Sequence, residues 1–289
     1  MVDSLDKICR IVVHYKSPGL EKVLDFFYDF FDYYSDNYLN FELHGQWVGK
    51  GRIGGQSLDE AVWGLYRIRS LMVCKDLLSK EYLDKLYTKL FKPMADLLYP
   101  QAKSIHNISM WIMCCVGAIG VMFNDNELLD KALNSEYGLR AQLKYGFTPE
   151  GLWRECSIIY HYYVAESLTN FLAVYATVSK DDEIFNVLEK MYTSPRAFSH
   201  DGNQIQALND GWYPIYFENY YGTEQLAARV FDNSDLLKDV KTGYEKGILK
   251  PSTSYSLFFD LVDELNEDTK PSIQETNKDL FIFSGSNIG

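Results

Sequence analysis

Residues 58–99 read LDEAVWGLYRIRSLMVCKDLLSKEYLDKLYTKLFKPMADLLY, and this stretch decides the class of fold. Apolar side chains recur at three- and four-residue intervals through 58–78 and again through 81–99, the spacing that lines one face of an α-helix. The same period runs upstream through LEKVLDFFYDFFDYY (20–34) and downstream over roughly 107–123, 126–133, 157–178, 182–192, 220–231 and 234–246. Breakers fall between the runs: Ser17-Pro18-Gly19, GKGRIGGQS at 49–57, Tyr99-Pro100, Thr148-Pro149-Glu150-Gly151 and His200-Asp201-Gly202. The chain is therefore predicted to be all-α, a succession of helical hairpins. Such an array forms either an α-solenoid or a closed (α/α) toroid, and the long irregular loops carrying tryptophans favour the toroid. No Pro- or Ser-rich linker interrupts the first 250 residues, so residues 1–270 are expected to form one domain. The closing DLFIFSGSNIG (279–289) differs: Leu280 to Phe283 is a short β-prone run, which makes 271–289 a linker and the first strand of a further domain.

Composition narrows the partners. With 40 acidic against 28 basic residues the formal charge is -12, and no broad basic surface for duplex nucleic acid or anionic lipid is expected. A locally positive cleft remains compatible with that sum, so an anionic substrate stays open. The five cysteines, Cys9, Cys74, Cys114, Cys115 and Cys156, show no C-x-x-C and no zinc-like spacing, so neither a disulfide framework nor a metal or other cofactor is expected. The most apolar stretch, Ile105 to Phe123, carries His106, Asn107 and two glycines, which marks a buried core helix rather than a membrane span. The first residues, MVDSLDKICRIVVHY, lack a signal peptide's apolar region and cleavage site. As it stands the chain reads as cytoplasmic, or as part of an exported enzyme.

Two segments place polar groups inside apolar helices. In SIHNISMWIMCCVGAIG (104–120), His106 and Asn107 open a strongly apolar run, where helix N–H groups favour an anion; Asn107 or Ser104 is also the expected N-cap. In GFTPEGLWRECSIIYHYYVAESL (146–168), a turn leads into Trp153, Arg154, Glu155, Tyr160 and His161, with Tyr160 and Tyr163 on the face of Cys156 and Ser157. The chain has 22 tyrosines, more than packing a helical core needs, and tryptophans near loops (Trp47, Trp153, Trp212) together with Trp111 beside Asn107 are candidates to stack on sugar rings.

These segments resemble a known family. Asn107-x3-Trp111 with its small-residue apolar helix, the acidic turn before Trp153 and Glu155, and the Tyr-aromatic pair four residues beyond Cys156 look like the helical domain of the heparinase II/III-like polysaccharide lyases, an architecture that alginate lyases share. SLDEAVWGLYRIRSLM looks like an early toroid helix, and SHDGNQIQALNDGWYP, which holds Asp210 and Trp212, looks like a later loop of that family. The resemblance implies an (α/α) toroid truncated at the start of a carboxy-terminal β-sandwich, the missing partner domain. It also implies β-elimination on an anionic polysaccharide or oligosaccharide of heparan, hyaluronan or alginate type. That chemistry neutralises the uronate carboxylate, removes the C5 proton and protonates the leaving oxygen. The resemblance assigns carboxylate neutralisation to Asn107 and general acid/base work to Tyr160, although a free phenol ionises near pH 10 and needs positive neighbours to act as base. His106 stands beside Asn107, where relatives carry Asn or another polar residue, as a further catalytic candidate; His161, where relatives carry an aromatic, is a sugar contact. Trp111, Trp153, Arg154, Glu155, Asp210 and Trp212 complete the expected substrate-binding set, with Arg140, Lys144 and Lys103 as further cations for sulfate or carboxylate. Two rivals stand beside this reading. One is an (α/α) glycoside hydrolase pairing Glu155 with Asp201 or Asp210; the other is a helical-repeat domain that binds glycan without chemistry.

Overall fold

The computed structural model describes residues 20–199, 203–231 and 234–247. The expected strand at 280–283, the boundary at 271, Cys9 and the His200-Asp201-Gly202 turn lie outside the described residues. Within them the chain is all-α. The described residues divide into two compact units, one running to Ala141 and including Ala173–Ser179, the other comprising Gln142–Leu172 and the residues from Lys180 onward.

The first unit holds α1 (Leu20–Asn37), α2 (Ser57–Cys74), α3 (Lys80–Leu86), α4 (Lys92–Leu98), α5 (Asn107–Phe123) and α6 (Asn126–Asn134). Helix α5 is its centre: Asn107 and every residue from Ser109 to Met122 are buried, as a helix apolar on all sides requires. Helices α2 and α4 press against it at Gly64, where a Cβ would come within 2.7 Å of both Cys115 Sγ and Met94 Sδ. Cys74, Cys114 and Cys115 are buried thiols outside any disulfide, acting as small hydrophobes. The run 81–99, uniform by its period, is broken by a π turn at Tyr87–Phe91. Pro93 explains the break, since it lacks an N–H and its ring would clash with the carbonyl of Lys89 in a regular helix. At the other end of α5, Asn124 takes a left-handed conformation (φ 57) and Asp125 caps α6, its Oδ1 accepting from the N–H groups of Glu127 (3.1 Å) and Leu128 (3.0 Å).

The second unit holds α7 (Leu139–Gly146, which begins in the first unit and runs into it), α8 (Ile158–Tyr175, which leaves it after Leu172), α9 (Asp182–Thr193), α10 (Tyr221–Phe231) and α11 (Ser234–Glu245). Helix α7 has no clear hydrophobic signature, because its buried positions 139, 142, 143 and 146 follow a helical period while Gln142, fully buried, is polar. A two-residue antiparallel ladder, β1 (Gln204–Ile205) with β2 (Ile215–Tyr216), closes the loop 206–214; it is too short to show as a period in the sequence. Tyr162 stacks on Tyr220 with centroids 3.7 Å apart and planes 10° from parallel. Glu224 in α10 is fully buried, 4.0 Å from Arg196, and burial lifts its carboxyl to about 8.

Among the described residues no helix is long and apolar enough to cross a membrane, and no group of three His, Cys, Asp or Glu side chains is arranged to hold a metal ion.

Candidate functional site

In the second unit two turns are stitched together ahead of α8. The Pro149-Glu150-Gly151 turn closes when Gly151 N–H donates to Thr148 O (2.9 Å), and Arg154 N–H returns to Gly146 O (2.8 Å). Cys156 then adopts φ 53 and turns the chain into the helix. Ser157 Oγ accepts from Tyr160 N–H (3.3 Å), which caps α8, and donates to Asp210 O (2.8 Å). Glu155 O accepts from Asn209 Nδ2 (3.0 Å), and Asn209 is itself left-handed, at φ 49. Loop 206–214 therefore lies against residues 155–157. Two of the three non-glycine residues with positive φ among the described residues sit at this junction: Asn209, a residue type that tolerates this region, and Cys156, for which it costs about 1–2 kcal/mol, strain of a kind that concentrates at functional sites.

This junction brings together Arg154, Glu155, Tyr160, Asp210 and Trp212 of the sequence-derived set. Arg154 and Asp210 are exposed, Glu155 and Tyr160 half-buried, and Trp212 is 69% exposed. The segments joined here carry a phenol, a guanidinium, two carboxylates and an open indole face; the guanidinium complements an anionic sugar, the indole face its C–H face, and the carboxylates its hydroxyl groups. Ser157 and Asn209, which hold the two turns together, were not singled out from sequence; serine and asparagine are common in any loop, and their roles here depend on a pairing 50 residues apart.

In the first unit the corner before α5 departs from the expected cap. Neither Asn107 nor Ser104 is the N-cap: His106, extended at φ -158 and ψ 150, takes that position, and its Nδ1 accepts from Ile108 N–H at 3.3 Å. Asn107 is the first helical residue and is 5% exposed, whereas His106 is exposed. A neutral imidazole accepting at Nδ1 carries its proton on Nε2.

Three expected sugar contacts are corrected. Trp111 and Trp153 have no exposed surface; Trp111 packs near Tyr66, and Trp153 meets Phe147 edge-on with centroids 5.0 Å apart. Both indoles are core, because the apolar environment that made them conspicuous in the sequence also covers them. His161 is 1% exposed with both ring nitrogens engaged: Nδ1 accepts from Trp153 N–H (3.1 Å) and Nε2 donates to Met191 O (2.7 Å). It braces the turn before α8 against α9. Of the remaining cations, Lys103 is exposed, Arg140 Nε donates to Asn134 Oδ1 (3.1 Å), and Lys144 lines a cleft of about 300 Å³ with Phe147, Thr148, Pro149 and Lys190.

Burial holds the His161 imidazole down to about 4, against an ordinary value near 6.5. The folded state therefore binds fewer protons than the unfolded chain between these values. The stabilisation is complete above pH 6.5 and is lost as pH falls through 4, amounting to about 3 kcal/mol at most. We expect melting temperature to fall more steeply from pH 7 to pH 4 in the wild type than in His161→Leu, whose overall stability is lower; equal slopes would show that His161 does not carry this dependence.

Comparison with known proteins gives a class first: the chain is similar to polysaccharide lyases. It is 27% identical over 178 residues, 58% of its length, to an alginate lyase of Stenotrophomonas maltophilia, and 30% identical over 152 residues, 49% of its length, to an exo-oligoalginate lyase of Saccharophagus degradans. The matched segment spans 24% and 21% of those relatives, so the chain corresponds to about a quarter of their length. No family model matches the sequence.

Proposed function

We propose that the protein takes part in cleavage of a uronic-acid polysaccharide, alginate or an alginate-like chain, by β-elimination, as a lyase of the heparinase II/III-like group. The similarity to two alginate-degrading lyases carries this reading, and the junction around Tyr160 supports it. Asn107 hydrogen-bonds the substrate carboxylate and stabilises the charge that develops there when the C5 proton leaves. Tyr160 takes that proton as phenolate and delivers a proton to the glycosidic oxygen as the C4–O bond breaks, leaving a C4=C5 double bond. His106, the N-cap of α5 beside Asn107, is assigned a catalytic role with it. Arg154, Glu155, Asp210 and Trp212 bind the neighbouring sugars.

Product mass separates this chemistry from hydrolysis by Glu155 and Asp210. Elimination takes up no water, so the fragment with the new non-reducing end carries a C4=C5 double bond and is lighter by one water than its hydrolytic counterpart. Fragments that all carry the mass of the hydrolytic products would establish the hydrolase instead.

A further inference from the structure

The loop between α1 and α2 is built around one carboxylate. Glu60, with no exposed surface, accepts at Oε2 from the backbone N–H groups of Arg52 (3.0 Å), Ile53 (2.7 Å) and Gly54 (3.0 Å), and at Oε1 from the Tyr38 hydroxyl (2.7 Å). Gln101 clamps the other limb: its Oε1 accepts from Lys50 N–H (2.6 Å) and its Nε2 donates to Lys50 O (2.9 Å). His44 and Gly51 exchange both backbone hydrogen bonds (2.8 and 3.0 Å), and Ser57 Oγ donates to Val48 O (2.9 Å). At Gly49, φ is +70, and a Cβ would meet Ser57 Oγ at 2.4 Å and Gln101 Oε1 at 2.5 Å, so the turn closes only on glycine.

What this framework presents is Trp47, 81% exposed, with Val48 56% exposed beside it. An indole normally buries its large apolar face, and here a rigid loop holds that face in water. Pre-ordering of this kind lowers the entropy lost when a ligand binds. We propose that Trp47 is a stacking platform for a pyranose ring of the polyuronate, a substrate-binding contact apart from the reacting sugar. The occupant follows from the neighbours: the Lys50 side chain, three residues on, is exposed, so one loop presents both an apolar ring face and a cation. A uronate ring carries the complementary pair, a C–H face and a carboxylate. The loop also belongs to the same unit as Asn107, for Gln101 precedes Asn107 by six residues, a reach of no more than roughly 20 Å of chain. This inference rests on the polyuronate reading and names a subsite within it.

The test compares wild type, Trp47→Ala and Trp47→Phe by electrophoresis through gels with and without embedded alginate, and by KM on polymeric alginate. Loss of an aromatic stack is expected to abolish gel retardation in Trp47→Ala and to raise KM about tenfold, the loss falling on KM rather than kcat, while Trp47→Phe keeps most of both. Retardation of Trp47→Ala equal to wild type, or no retardation of wild type, would overturn the proposal, including in favour of a protein partner for this indole. The two readings fail separately. Unsaturated product with an unchanged Trp47→Ala removes the platform and leaves the lyase; retardation that depends on Trp47 without any unsaturated product removes the lyase and leaves the platform.

Discussion

Replacing Tyr160 with phenylalanine is expected to lower the rate of unsaturated-product formation by about 10²–10⁴-fold, the range of a general acid/base group. The phenol oxygen is the only atom removed. Tyr160 contributes to the start of α8 through its backbone N–H, which Ser157 Oγ holds at 3.3 Å whatever the side chain. Its ring is half-buried rather than sealed in the core. Melting temperature is therefore expected to stay within about 2 °C of wild type. A Tyr160→Phe protein that unfolds early would trace the lost rate to structure, and one that keeps its rate would remove Tyr160 from the chemistry. A matching loss in Ser157→Ala, with KM unaffected, would place the junction of the two turns in control of the phenol's position.

The largest effect on stability is expected at Glu60. In Glu60→Ala three backbone N–H groups and the Tyr38 hydroxyl lose their acceptor at once. Removing one member of a buried charged hydrogen-bonded group costs about 3–5 kcal/mol, which lowers melting temperature by roughly 10 °C or more in a chain of this size. Burial and the neighbouring carboxylate both push the Tyr38 phenol well above its ordinary range, so it remains a donor at all physiological pH. Glu60→Gln keeps one acceptor oxygen and is expected to lose about half as much. Thermal unfolding of the three proteins reads this directly; a Glu60→Ala protein as stable as wild type would mean the loop is held by Gln101 and Ser57 alone.

The helical class was legible in residues 58–99 because an apolar period of three and four survives every local exception. Helix α5 begins at Asn107 and ends at Phe123, the limits its apolar run sets. The period could not show α7, where a buried position is glutamine, or the π turn, which follows from one proline inside an otherwise regular pattern. At the candidate site the residue types were legible and their surroundings were not. Trp111, Trp153 and Trp212 look alike in sequence, yet two are sealed in core and one is open, because burial depends on contacts across the fold. His161 was conspicuous as a polar residue among aromatics, and that setting is what buries it and engages both its nitrogens. Glu60 is unremarkable in the acidic first turn of α2, and the loop it organises becomes visible only when three N–H groups converge on one oxygen.

The central claim is elimination on a uronate chain, and the most direct test is ultraviolet absorbance of the protein incubated with alginate, hyaluronan and heparan sulfate. A rising unsaturated-uronate signal on alginate is expected, reduced about 10²-fold or more in Asn107→Ala and in Tyr160→Phe. Cleavage of alginate without any unsaturated product, or a signal that survives both substitutions, would contradict it.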